Sequence, residues 1–186
     1  MLAWNIMQAG YYHFVVILQT PELCERAMKA WPELGGCVWS SYEMGSHPKG
    51  LLDRYVFMSR AARLGYNVFL TDSDTIFLND IYLALKSPPL REAALISHRD
   101  TGNGWLNVGT MYIQNARPDG PAVYAIAEAL DRLERWHDAQ AEMAARGRFH
   151  SCWEQMQVAD TVFSVIVGRP IAYNCWNDER NETLPA

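Results

Sequence analysis

The chain has 186 residues, 49% of them hydrophobic and 20% charged, with a formal net charge of −5. Its length fits one domain with a full core, and its composition excludes disorder. An acidic balance without a basic run argues against a nucleic-acid partner, and the longest apolar run, Phe14 to Leu18, is too short to span a bilayer.

The first residues lack the basic stretch and apolar stretch of a secretory leader. Tyr12 to Leu18 is a continuous apolar run rich in β-branched residues, expected to be a strand buried on both faces. Thr20 and Pro21 open a helix as N-cap and first helical residue; Leu23, Ala27 and Trp31 share one face, and Pro32 ends it. After Gly35-Gly36, a short strand is expected from Cys37 to Ser41. Leu51, Leu52, Tyr55, Val56, Ser59 and Ala62 then recur at helical spacing across Gly50 to Leu64, with Gly65 at the position of a C′ glycine. A strand from Asn67 to Thr71 follows. Later come apolar segments at Ala93 to Ser97 and Trp105 to Ile113, a long helix from about Gly120 to Ala145, and a last helix from about Cys152 to Val167, ended by Gly168. The alternation of strand and helix predicts an α/β fold, a mostly parallel sheet flanked by helices, in a single domain over 1–186.

The strand at Asn67 to Thr71 breaks into Asp72-Ser73-Asp74. In an extended segment the two carboxylates point to one side. Beside a hydrophobic core they need a cation between them, and an all-oxygen pair suits Mg²⁺ or Mn²⁺, ions that bridge to phosphates. Parallel α/β sheets bind ligands beyond the carboxyl ends of their strands, where this pair falls. The plainer reading is a strand ending in a solvated turn. Between the two late strands, Arg99 to Gly104 is a polar, glycine-rich loop of the kind that lines a site.

Cys24, Cys37, Cys152 and Cys175 show neither CxxC nor zinc spacing; their number permits two disulfides without requiring them. Seven Trp and nine Tyr exceed what packing needs. Aromatic faces serve sugar-binding clefts as well as cores, and core is the expected use of most. Asn181-Glu182-Thr183 is a glycosylation acceptor pattern, meaningful if the protein enters the secretory path.

Four segments together resemble the nucleotide-diphospho-sugar transferase domain family of plants and algae, metal-dependent glycosyltransferases of the GT-A (Rossmann-like) fold grouped with glycosyltransferase family 77. They are Leu64 to Asp74, similar to the family's glycine, strand and DxD motif; Trp105 to Ile113, similar to its Asn-x-Gly strand; Asp160 to Ser164, similar to its acidic helix; and Lys49, a basic position before the DxD strand. The likeness spans roughly residues 3 to 175. It implies transfer of a sugar, with retention, from a UDP-linked donor to a glycan or glycoprotein acceptor of the cell wall, in the Golgi lumen. It also implies that Asp72 and Asp74 hold Mn²⁺ or Mg²⁺, with Asp72 also reaching the donor. Lys49 would reach the diphosphate, Asn107 would bond the donor sugar and Gly109 would let the backbone approach it. Asp160 would serve the acceptor or the transition state, with Glu154 as its rival.

Thr161 and Ser164 replace the amide and Asn usual in the acidic helix. The family is expected to open with a nucleotide-gripping strand followed by a helix, and Leu2 to Gln8 looks like that helix with no strand before it. A late metal-binding His is also expected and not found, so the chain reads as truncated at both ends. Plainer roles stand beside each residue. Asn107 satisfies a loop backbone, Lys49 and Glu154 are solvated charges, and Asp160 pairs with a nearby Arg such as Arg169. A haloacid-dehalogenase-type phosphatase is disfavoured: its Asp-x-Asp sits on the first strand, and the one later Lys, Lys86, is too close. The alternative function is an inactive remnant that binds nucleotide or carbohydrate; a purely structural interaction domain would bind no metal at all.

Overall fold

In chain order the computed structural model forms α1 (Leu2–Gln8), β1 (Val15–Leu18), α2 (Pro21–Ala30), β2 (Gly36–Trp39), α3 (Leu52–Arg63) and β3 (Val68–Thr71). It continues with α4 (Ile81–Leu85), a 3-10 turn at Leu90–Glu92, β4 (Leu95–Arg99), β5 (Leu106–Ile113), α5 (Pro121–Ala145) and α6 (Glu154–Val167). The described residues are 2–40, 52–99, 106–145 and 154–171. Lys49, the loop at 100–104, Cys152, Cys175 and the Asn181 pattern lie outside them. The protein is mixed α/β, and it divides into two compact units: Met1–Asp53 with Thr71–Ala93, and Arg54–Leu70 with Ala94–Ala186.

In the first unit, β1 and β2 pair in parallel, Val15 opposite Gly36 and Leu18 opposite Trp39. This is the strand–helix–strand step the sequence predicts. Thr20 caps α2 as expected, its hydroxyl accepting the Leu23 N–H at 3.2 Å, and the helix stops at Ala30 before Pro32. A Cys24–Cys37 disulfide ties α2 to β2. Gly35 is required by space: a Cβ there would lie 2.9 Å from the Phe14 carbonyl oxygen and 3.0 Å from that of Tyr12. The expected burial of Tyr12 to Leu18 on both faces is corrected. The strand begins only at Val15, and Tyr12 and Val15 are exposed. Val16, Ile17 and Leu18 are half-buried, so the run is covered in part rather than on both faces.

The second unit carries a three-stranded sheet in the order β3-β5-β4. Here β4 and β5 run antiparallel, Leu95 opposite Ile113. In place of the expected single, mostly parallel sheet the described residues form two sheets, with β1–β2 parallel and β4–β5 antiparallel. The core gathers Tyr55, Met58 and Ala62 of α3, Val108, Met111 and Ile113 of β5, Val123, Ile126 and Ala129 of α5, and Val158 and Ala159 of α6, all buried. Gly65 ends α3 as its sequence position implies. With φ at +85°, its N–H reaches the Ala62 carbonyl while Tyr66 N–H reaches that of Ala61, the paired bonds of a Schellman cap.

Candidate functional site

Asp72 and Asp74 lie where β3 runs out. They do not continue the strand: Ser73 and Asp74 form a turn closed by the Thr75 N–H on the Asp72 carbonyl at 3.2 Å. The extended geometry expected to align their side chains is thus replaced by a turn, because Asp and Ser favour turn conformations over a strand ladder. Asp72 is half-buried and Asp74 exposed. The donors offered here are all oxygen, which suits a hard divalent ion. No group of three or more His, Cys, Asp or Glu gathers among the described residues.

From Asp72 to Asp80 the backbone is irregular, and two side chains from the start of the chain hold it. Asn5 of α1 grips Phe77 twice: its amide donates to the Phe77 carbonyl at 2.9 Å, and its oxygen accepts the Phe77 N–H at 2.6 Å. Tyr11 donates its hydroxyl to the Asp80 carboxylate and accepts the Ile81 N–H at 2.9 Å. Asp80 in turn caps α4, accepting the Tyr82 N–H. The rings of Phe77 and Tyr82 stand edge-on to Tyr11.

Burial first, and then the bond to Asp80, raise the Tyr11 phenol above its ordinary value of 10.0. Above that value the unfolded chain releases the Tyr11 proton before the folded chain does, so rising pH favours unfolding. Urea titrations at increasingly alkaline pH are expected to show a steeper loss of stability in the wild type than in Tyr11→Phe. Equal slopes would show that the phenol is not held in its neutral form.

Asn107 and Gly109 sit on a bulge of β5. Ser97 faces Met111 but His98 faces Asn107, so Val108, Gly109 and Thr110 have no counterpart on β4. Bulges of this kind re-aim side chains and gather near functional sites. The Asn107 side-chain oxygen accepts the Gly109 N–H at 2.9 Å, and its carbonyl accepts the Ser97 hydroxyl. The backbone-satisfying role set out for Asn107 is therefore real for its oxygen. Gln155, in the first turn of α6, accepts the Val108 N–H at 3.4 Å.

Glu154 is not a solvated charge: Arg54 meets it at 2.6 Å, both side chains being about one-eighth exposed (12% and 13%). The Arg54 guanidinium also lies 5.2 Å from the centre of the Tyr55 ring. Asp160 has no exposed surface, lying on the α6 face shared with buried Gln157 and Thr161. Asp72 and Asp74 belong to the first unit; Asn107, Gly109, Glu154 and Asp160 belong to the second.

Sequence reasoning missed Asn5, Tyr11, Arg54 and Arg132. A signal existed for Asn5, since a short polar amide inside an apolar helix usually has backbone to serve. Arg132, 2% exposed, bonds Glu128 at 2.9 Å, the Ile171 carbonyl at 2.7 Å and the Ser164 hydroxyl at 3.3 Å. Compared with protein-family models, curated proteins and solved structures, the chain gives no match.

Proposed function

We propose that this protein is a metal-dependent glycosyltransferase of GT-A-like architecture, moving a sugar from a UDP-linked donor to a glycan or glycoprotein acceptor with retention. What supports the reading is the pair of carboxylates, Asp72 and Asp74, at the carboxyl end of β3, although they stand in the turn that the plainer reading expects. Asp72 and Asp74 would hold Mn²⁺ or Mg²⁺. When bound, the ion would supply charge neutralisation for the departing diphosphate; Lys49, outside the described residues, is the second cation the resemblance implies there.

Asn107 has a definite polarity. Since the Gly109 N–H can only donate, the atom facing it is the Asn107 oxygen, and the amide nitrogen, without a partner among the described residues, is the atom offered to a ligand. A donor-sugar hydroxyl is the partner we assign, with Gly109 adding little bulk beside it. Asn107→Asp keeps the acceptor for Gly109 but loses both donors. Its affinity for a UDP-sugar should fall about tenfold while its affinity for UDP stays level. Parallel titrations of the two ligands check this, and an equal fall for both would remove Asn107 from sugar recognition.

On the acceptor side, Glu154 keeps some access to solvent beside Arg54, whereas Asp160 has none. We assign the acceptor-facing carboxylate to Glu154 and a supporting role in α6 to Asp160. A lumenal, oxidising compartment such as the Golgi fits the Cys24–Cys37 disulfide. No helix among the described residues is long and apolar enough to cross a membrane.

Calorimetric titration of the chain with UDP, with and without Mn²⁺, tests the reading. Metal-dependent binding followed by turnover with a UDP-sugar is the expected result. Binding without turnover would leave the remnant reading, and no binding by a folded chain would defeat both.

A further inference from the structure

We infer that Asn5 is a positioning residue for the Asp72–Asp74 turn, setting where its carboxylates stand; this rests on the reading of that turn as the donor-metal site. The chain from Asp72 to Asp80 has neither helix nor strand, so no ladder of backbone bonds fixes its path. Its backbone groups need other partners.

Ile76 and Leu78 are 59% and 87% exposed, and only Phe77 between them is buried. Asn5 meets Phe77 as a neighbouring strand would, giving one donor and one acceptor to the same residue, at 2.9 Å and 2.6 Å. Phe77 is three residues beyond Asp74, so fixing its backbone confines Asp74 to within roughly 10 Å of chain. The next tie, Tyr11 on Asp80 and Ile81, lies farther from the carboxylates. Asn5 is therefore the nearer of the two ties.

The experiment compares wild type, Asn5→Ala and Asn5→Asp. Asn5→Ala loses both bonds; Asn5→Asp keeps the acceptor but sets an oxygen against the Phe77 carbonyl. Each protein is titrated with UDP in the presence of Mn²⁺, and amide exchange is followed over residues 75–81. The expected result is binding weakened about tenfold in Asn5→Ala, with faster exchange confined to that segment and an unchanged circular dichroism spectrum. Asn5→Asp should show the same direction, and it carries the test if the alanine variant fails to fold. A residue that only stabilised the fold would lower the melting temperature and leave the affinity of the folded fraction unmoved. Affinities within twofold of a wild type that binds would overturn this inference alone. A wild type that shows no metal-dependent UDP binding would instead overturn the reading beneath it.

Discussion

Arg132→Ala is expected to lower stability by about 3–5 kcal/mol, the usual cost of removing one partner from a buried ionic network. In a chain of this size that corresponds to a melting temperature lower by roughly 10 °C. The reason is the number of groups one guanidinium serves. It bonds Glu128 one turn back along α5, the Ser164 hydroxyl on α6 and the Ile171 carbonyl beyond α6. Ser164 is itself shared, accepting the Ile171 N–H at 2.8 Å and donating to the Asp160 carbonyl at 2.7 Å. Removing Arg132 strands acceptors on two elements at once. Glu128 softens the loss, being 22% exposed and within 3.9 Å of Arg135. Ser164→Ala, which leaves the Arg132–Glu128 and Arg132–Ile171 bonds in place, should cost less, about 1–2 kcal/mol. Chemical denaturation of both variants checks the ranking. An Arg132→Ala protein as stable as Ser164→Ala would mean that the guanidinium adds nothing beyond the hydroxyl.

Asp74→Asn is expected to weaken Mn²⁺-dependent UDP binding at least about a hundredfold, equivalent to roughly 3 kcal/mol, by taking a formal charge from the metal shell. Asp74 is the better of the two aspartates to change. It is exposed in a turn, so its replacement should move stability by no more than about 0.5 kcal/mol. Asp72 is half-buried and engaged with its surroundings, and its loss would mix folding with binding. Calorimetry with and without Mn²⁺, beside a melting curve, separates the two effects. Retained affinity in a well-folded Asp74→Asn protein would remove this carboxylate from the site.

Much of the secondary structure was legible because it follows from local chemistry. Thr20-Pro21 and Leu64-Gly65 are cap signals that need no tertiary context, and they bound α2 and α3 as expected. The same kind of signal at Asp80, ahead of an apolar run, marks α4, but five residues are too few to show a helical period. Strand pairing was harder to read. An apolar run says that a strand is buried, not which strand it meets, so β3 was expected beside β1 and β2 and lies instead beside β5. At the candidate site the aspartates were legible as residue types, while their turn was weighed as the plainer alternative. What the sequence could not show was the partner of each polar side chain. Glu154 reads as a solvated helix residue, yet Arg54, a hundred positions away, holds it, and the Asn5–Phe77 grip spans 72 positions. Such contacts are made by the fold, and no local pattern encodes them.

The bulge in β5 also bears on how this protein tolerates change in length. Between Asn107 and Met111 the strand holds an odd number of residues that β4 does not match, so side-chain alternation changes phase there. Elsewhere in a strand, adding or losing one residue would turn every later side chain to the wrong face. Here the slack is already present, and such a change is taken up locally, leaving Met111, Tyr112 and Ile113 opposite Ser97, Ile96 and Leu95. The polar end of the strand can then vary its reach while the core end keeps its register. A lineage carrying this hairpin is free to reshape what Asn107 presents without rebuilding the hydrophobic layer behind it.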